Sequence, residues 1–258
     1  MKTITVPFHL DEPLPRLRWP VDPGRVVAPE LPEGTTWERL AALYEPVADE
    51  VAEATRGEPV LVLSGDCTTS LATVAGLQRA AHDPGRLGIV WFDAHGDLQH
   101  PATTTSGYLG GMALRMLLGE GDPTVADGLG LKPVDPGRTV LVDGRDLDPP
   151  EREFLAATPV RRQGVDELTA PSRELPSGGP LYVHLDLDVL DPDHLPGLLF
   201  PSPNGPDPTE VIAALRAVLA TGEVAAVGLG CTWRQDEALV PAVQEIADFL
   251  VRELGGTG

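Results

Sequence analysis

Two short runs gather the residue types that could do chemistry. One is Trp91-Phe92-Asp93-Ala94-His95-Gly96-Asp97, the other His184-Leu185-Asp186-Leu187-Asp188. Each starts as an apolar strand and ends in acids that alternate with other residues. Residues i and i+2 of a strand share a face. Asp93, His95 and Asp97 can therefore point one way, and Asp186 and Asp188 can do the same. Carboxylates crowded on one spot repel unless positive charge lies between them. A pair of divalent cations is the natural occupant. Mixed carboxylate and imidazole ligands suit manganese, with iron, cobalt and zinc as alternatives. Taken singly, an Asp-x-Asp past a strand end is an ordinary loop or helix cap. Two such clusters after apolar strands, one with His between its acids, predict a metal site.

The elements that must carry these runs follow from periodicity. Apolar, β-branched runs predict strands over residues 3–7, 59–63, 88–92, 139–143, 181–185 and 224–228. Helical patterns fall between them, over 37–55, 69–82, 109–118, 150–157, 209–221 and 237–254. Strands alternating with helices predict an α/β fold, a three-layer α/β/α arrangement with a mainly parallel sheet. Ligands in such folds bind beyond the carboxyl ends of the strands, which is where both acidic runs fall. The Pro-rich stretch 10–35 and the stretch 122–137 read as loops. With no internal repeat or long linker, residues 1–258 are expected to form a single domain.

Bulk properties narrow the function classes. The chain has a net charge of −20, from 19 basic and 39 acidic side chains. That argues against nucleic acid and anionic membrane surfaces, which require basic patches. It could steer a cationic substrate, or serve solubility alone. Two cysteines, Cys67 and Cys231, make no disulfide framework. The first ten residues hold no apolar leader segment, and no run of ~18 apolar residues predicts a membrane span. The expected compartment is the cytoplasm.

Four segments carry a family resemblance. They are DAHGDLQHPATTTSGYLGGM (93–112), HLDLDVLDP (184–192), LSGDCTTS (63–70) and GRDLDPPE (144–151). Their order and spacing resemble the ureohydrolases, the arginase and agmatinase family, over roughly residues 58–235. The resemblance implies an arginase-like fold with a binuclear manganese site. Asp93 and Asp186 would bridge the two ions, Cys67 and Asp97 would complete one, and His95 and Asp188 the other. A water bridging two ions loses a proton near neutral pH and can attack a planar guanidine or amidine carbon. Asp97 would accept a hydrogen bond from that hydroxide, and Asp97 and His95 are the expected catalytic residues. Trimers or hexamers of identical chains are also implied.

The chain departs from the family pattern at informative places. Cys67 stands where most members have His. A thiolate ligand would shift preference from manganese toward zinc or iron; otherwise Cys67 is a small buried residue and the first ion is weak or absent. Trp233 stands at a position where the family has Glu, Gly110 where arginases have His, and Phe200 where they have Thr. These changes make the distal pocket less polar, and a plain guanidinium would lose its carboxylate partner. Trp233 could offer a cation–π contact worth roughly 0.5–2 kcal/mol, or simply pack in the core. By contrast, Gln99, Thr104 and Ser106 match positions that hold an α-carboxylate, and Asp148 and Glu151 match amine-binding acids. Tyr108 replaces another Asn. Thr, Ser and Asp at these places are also ordinary helix caps.

The expected function is hydrolysis of a C–N bond in a guanidino or amidino group on an arginine-like amino acid, N-hydroxylated or otherwise modified. Without His at position 110, the leaving amine would draw its proton from His100, His184 or a metal-bound water. The alternative is a non-catalytic paralogue with a binding or regulatory role. A third reading is an amide-bond hydrolase on the same scaffold.

Overall fold

The computed structural model describes residues 1–81, 83–168, 175–235 and 238–256. Strands β1 (Lys2–Val6), β2 (Phe8–His9), β3 (Glu12–Pro13), β4 (Arg25–Val26) and β5 (Val60–Ser64) come first along the chain. They are followed by β6 (Gly88–Asp93), β7 (Thr139–Asp143), β8 (Arg161–Gln163), β9 (Leu181–Asp186) and β10 (Val224–Gly230). The helices are α1 (Thr36–Ala54), α2 (Ser70–Ala80), α3 (Ala113–Leu117), α4 (Pro123–Leu129), α5 (Pro149–Ala157), α6 (Pro208–Leu219) and α7 (Pro241–Gly255).

Eight strands form one sheet in the order β4-β1-β5-β10-β9-β6-β7-β8. Every neighbouring pair in it is parallel. The short β2 and β3 pair antiparallel as a separate hairpin. A parallel sheet needs helical crossovers and is covered on both faces. The covering follows the two-residue alternation of side chains. Val60, Val62, Ile89 and Trp91 pack toward the helices α1 to α5. Leu61, Leu63, Val90 and Phe92 pack toward α6 and α7. The predicted three layers are therefore present.

The crossover from β5 to β6 passes over the places that β9 and β10 later fill. The carboxyl ends of β5, β10, β9, β6 and β7 then sit side by side around one crevice. The six predicted strands all form, and β6 and β9 extend one residue further than predicted, to Asp93 and Asp186. The edge strands β4 and β8 were not predicted, being two and three residues long and arginine-bearing. The stretch 122–137, read as loop, contains α4. It is too short to show periodicity, yet Asp122 caps it by accepting from the Thr124 amide, Pro123 opens it and Gly130 closes it at φ +63°. The predicted helix 109–118 begins as a 3-10 turn, Gly110–Met112, before α3. The predicted helix ends at His82 and Glu237 lie outside the described residues. No helix among the described residues is long and apolar enough to cross a membrane.

Candidate metal centre

Asp93 is the last residue of β6 and Asp186 the last of β9, so the sheet itself brings the two carboxylates into one crevice. Asp93 accepts from the His95 amide at 2.7 Å and from the Trp91 indole at 3.1 Å. Asp186 begins a 3-10 turn and accepts from the Asp188 amide at 2.8 Å and the Thr232 hydroxyl at 2.6 Å. The turn swings Asp188 back toward β6, where it accepts from the Ala94 amide at 3.3 Å. His95 Nδ1 then lies 3.0 Å from Asp188 and 3.3 Å from Asp93. Asp97 adopts a left-handed backbone, φ +50°, which Asp tolerates better than most residues. Gly96 before it must lack a side chain, because a Cβ there would lie 2.7 Å from a Glu151 oxygen.

Cys67 enters from the end of β5. Asp66, fully buried, accepts from the Thr68 amide at 2.7 Å and so starts the 3-10 turn that carries the thiol. Its other oxygen accepts from the Leu10 amide, tying the β2–β3 hairpin to the site. The Cys67 thiol donates to Asp186 at 3.0 Å. His184, two residues before Asp186, is buried and stacks on Trp91 with ring centroids 3.8 Å apart. The donor atoms form two groups, each within 4.8 Å: Cys67, Asp93, His184 and Asp186, and Asp93, His95 and Asp188. Asp93 is common to both, and Asp97 belongs to neither.

The electrostatics show the cost of crowding these groups together. Burial, then the neighbouring acids, pushes the carboxyls of Asp97 and Asp188 well above the usual range. Burial and Asp93 raise Asp186 to about 6. Burial and the surrounding acids push the Cys67 thiol up. Burial alone would lower His95, but Asp188 and Asp93 outweigh it and raise the ring to about 12. Burial acts to raise Asp93, yet contact with His95 leaves it below its ordinary value. His184 goes the other way, lowered to about 4 by burial, so its ring is neutral. Two atoms of these groups, Asp97 Oδ2 and His184 Nε2, are among the buried atoms that have no hydrogen-bond partner among the described residues. Crowded acids, protons on Cys67 and His95, and an orphaned oxygen and nitrogen are a donor set that fits divalent ions.

A cavity of about 230 Å³ opens above these groups. All the predicted residues line it except Thr104 and Trp233. Thr104 accepts from the Gly107 amide and shapes the turn; Ser106 accepts from the Tyr108 amide while also facing the cavity. Gln99 donates to Asp148 at 2.7 Å. Both oxygens of Glu151 are engaged, by the amides of Asp148 and Leu98. Trp233 is a correction to the expected pocket. It bridges to Leu198 and turns its ring into the core, 4% exposed. The neighbouring Thr232 faces the cavity instead, beside Phe200 and Tyr108. Asp236, in the same aligned segment, lies outside the described residues.

Arg145 escaped the sequence reasoning, and Tyr108 and His184, which it named, make contacts it did not foresee. Arg145 pairs with Asp143 and donates to the carbonyls of Asp188 at 3.2 Å, Val189 at 2.9 Å, Ser202 at 2.7 Å and Pro203 at 3.2 Å. It thus braces the backbone that carries Asp188. Tyr108 stacks near His9 and bonds its Nε2 at 3.2 Å, while its ring lies 4.8 Å from Phe200. No local pattern announced that long-range contact. His184 did carry a signal, since it shares the alternating face with Asp186 and Asp188.

Comparison with known proteins agrees with this geometry. The arginase family profile matches residues 21–229. The chain is 34% identical over 176 residues to an N(omega)-hydroxy-L-arginine amidinohydrolase of Streptomyces lavendulae, covering 67% of this chain. It is 34% identical over 174 residues to an arginase of Bacillus caldovelox, covering 62% of this chain. The chain spans 61% and 54% of the length of these two relatives. In three dimensions it resembles the Bacillus caldovelox arginase structure, with a TM-score of 0.81 at 24% identity over 100% of this chain and 98% of that one. An Entamoeba histolytica arginase structure with L-ornithine gives a TM-score of 0.80 at 17% identity, over 99% and 98%.

Proposed function

Because the chain belongs to the arginase family, we propose that it is a binuclear, manganese-type hydrolase cleaving a C–N bond in the guanidino or amidino group of a modified arginine-like amino acid. The observation that carries this reading is the pair of donor groups, buried except for the half-buried His95, that share Asp93 at the floor of a cavity. When bound, divalent ions supply Lewis acidity and make water acidic enough to attack near neutral pH.

The chain's own residues do the rest. Asp97, with its unpartnered Oδ2 at the floor, is placed to hold a proton taken from the attacking water and to return it to the leaving nitrogen. Asp148 and Gln99 form a polar end suited to an α-amine and carboxylate. Phe200 and Tyr108 make part of the wall less polar, and no described acid replaces the family's Glu where Trp233 stands. A fully charged guanidinium loses there the partner that a buried cation needs. An N-hydroxylated or otherwise N-substituted guanidine, being less basic, fits that wall better, and the Streptomyces lavendulae relative is named for such a substrate. Assembly into trimers or hexamers in the cytoplasm is part of the same proposal, tested by sedimentation and fractionation.

The test is metal analysis followed by a substrate screen of the reconstituted chain. Two ions per chain are expected, with release of hydroxyurea from N-hydroxyarginine exceeding release of urea from arginine. No ion uptake and no product would instead support the non-catalytic paralogue.

A further inference from the structure

His184 is a buried imidazole whose two nitrogens live in different surroundings. Nδ1 sits 3.1 Å from the Ser70 hydroxyl and 3.2 Å from the Tyr182 hydroxyl. Both hydroxyls can accept, so Nδ1 can carry the ring proton and leave a lone pair on Nε2. Nε2 is buried and has no partner among the described residues. A ring held through one nitrogen, with the other left open, is the usual arrangement of a metal-binding histidine. Stacking on Trp91 fixes the ring plane. The open nitrogen belongs to a residue grouped with Cys67, Asp93 and Asp186, with donor atoms all within 4.8 Å.

The two donor groups differ in kind. The first offers one sulfur, one imidazole nitrogen and two carboxylates. A four-coordinate S, N, O set is characteristic of zinc. The second, Asp93, His95 and Asp188, holds no sulfur, and its carboxylate-rich N/O character suits manganese. We propose that His184 ligates the first ion together with Cys67, and that the centre is therefore asymmetric, with a zinc-preferring half beside a manganese-preferring half. The imidazole absent from position 67 is supplied from β9. Asp97, which belongs to neither group, is left available for proton transfer. This inference rests on the proposed metal centre, but on no particular substrate.

The experiment uses the full chain, stripped with chelator and given one equivalent of zinc, and reads X-ray absorption at the zinc edge. His95→Ala serves as the control that removes the other imidazole. One sulfur and one imidazole on the same ion are expected, in the natural chain and in His95→Ala alike. Sulfur without imidazole in His95→Ala overturns the assignment of His184 while leaving the hydrolase reading intact. Failure to bind any divalent ion overturns both. In a second measurement, His184→Ala is expected to weaken zinc binding by about a hundredfold or more, beyond the loss typical of an outer residue. Manganese uptake by the His95 half should persist, which also shows that the variant is folded. Unchanged zinc affinity in a folded variant overturns the proposal, as does equal competition of manganese for the Cys67 half.

Discussion

The floor of the cavity and its rim are built on different principles. The floor acids stand on strand ends or in the first turn after them, and Asp93, Asp186 and Asp188 are each held by backbone amides. They are almost fully buried, at 1–2% exposure. The rim consists of Ser106, Tyr108 and Phe200 on loops, with His9 reaching in from a hairpin that precedes the family match. Phe200 is 38% exposed. Rigid strand ends hold charge in place at the floor. Side chains leaning on one another shape the rim. One region can thus keep its chemistry while the other changes what it admits.

Several experiments would sharpen or break that contrast. The largest effect is expected from Asp93→Ala, since Asp93 belongs to both donor groups. It should abolish binding of both ions and all hydrolysis; elemental analysis finding two retained ions would refute the shared role. Next is Arg145→Ala, which leaves Asp143 without its partner and frees the Asp188 backbone. Breaking such a pair costs about 3–5 kcal/mol, measurable by urea unfolding, and ion affinity should fall with it. A loss below about 1 kcal/mol, the level of an exposed ion pair, would show that Arg145 is no brace.

Third is pH. Metal-free protein should lose stability as pH rises above the ordinary histidine value near 6.5. The folded-state value of His95 is raised to about 12, so its stabilising contribution is complete below 6.5 and declines toward 12. Bound ions replace the proton, so loaded protein should be flat over the same range. Thermal scans at pH 7 and 9, with and without chelator, decide the point. Fourth, Cys67→His should shift preference toward manganese while both ions still bind, and an unchanged zinc-to-manganese ratio in competition would exclude Cys67 as a ligand. The smallest effect belongs to the rim. Tyr108→Phe removes one hydrogen bond to His9, about 1 kcal/mol. It should alter KM more than ion content, and a drop in bound metal would show that rim and floor are not separable.

The same contrast explains what the sequence disclosed. The floor was legible because two-residue alternation is a local property, and the apolar strands before each acid run said where the acids would emerge. The rim was not, because its contacts join residues far apart in sequence, as between His9 and Tyr108. Trp233 was misplaced for a related reason. Its place in the pocket followed from the family resemblance of the segment after β10, whereas the chain there bridges to Leu198 and the ring is buried in the core. α4 was missed because a seven-residue helix has caps but no period. His184 lay on the alternating face in plain view, and only the burial of its unpaired nitrogen distinguishes it from a core residue.

Gly110 has a consequence for the order in which this site can change. A Cβ at 110 would stand 2.3 Å from the Tyr108 ring, so a histidine introduced there alone must first push the ring off His9 and Phe200. The ring is the far end of a side chain and can move, but at the loss of those two contacts. Positions 108 and 110 are therefore coupled, and a smaller residue at 108 lowers the cost of a side chain at 110.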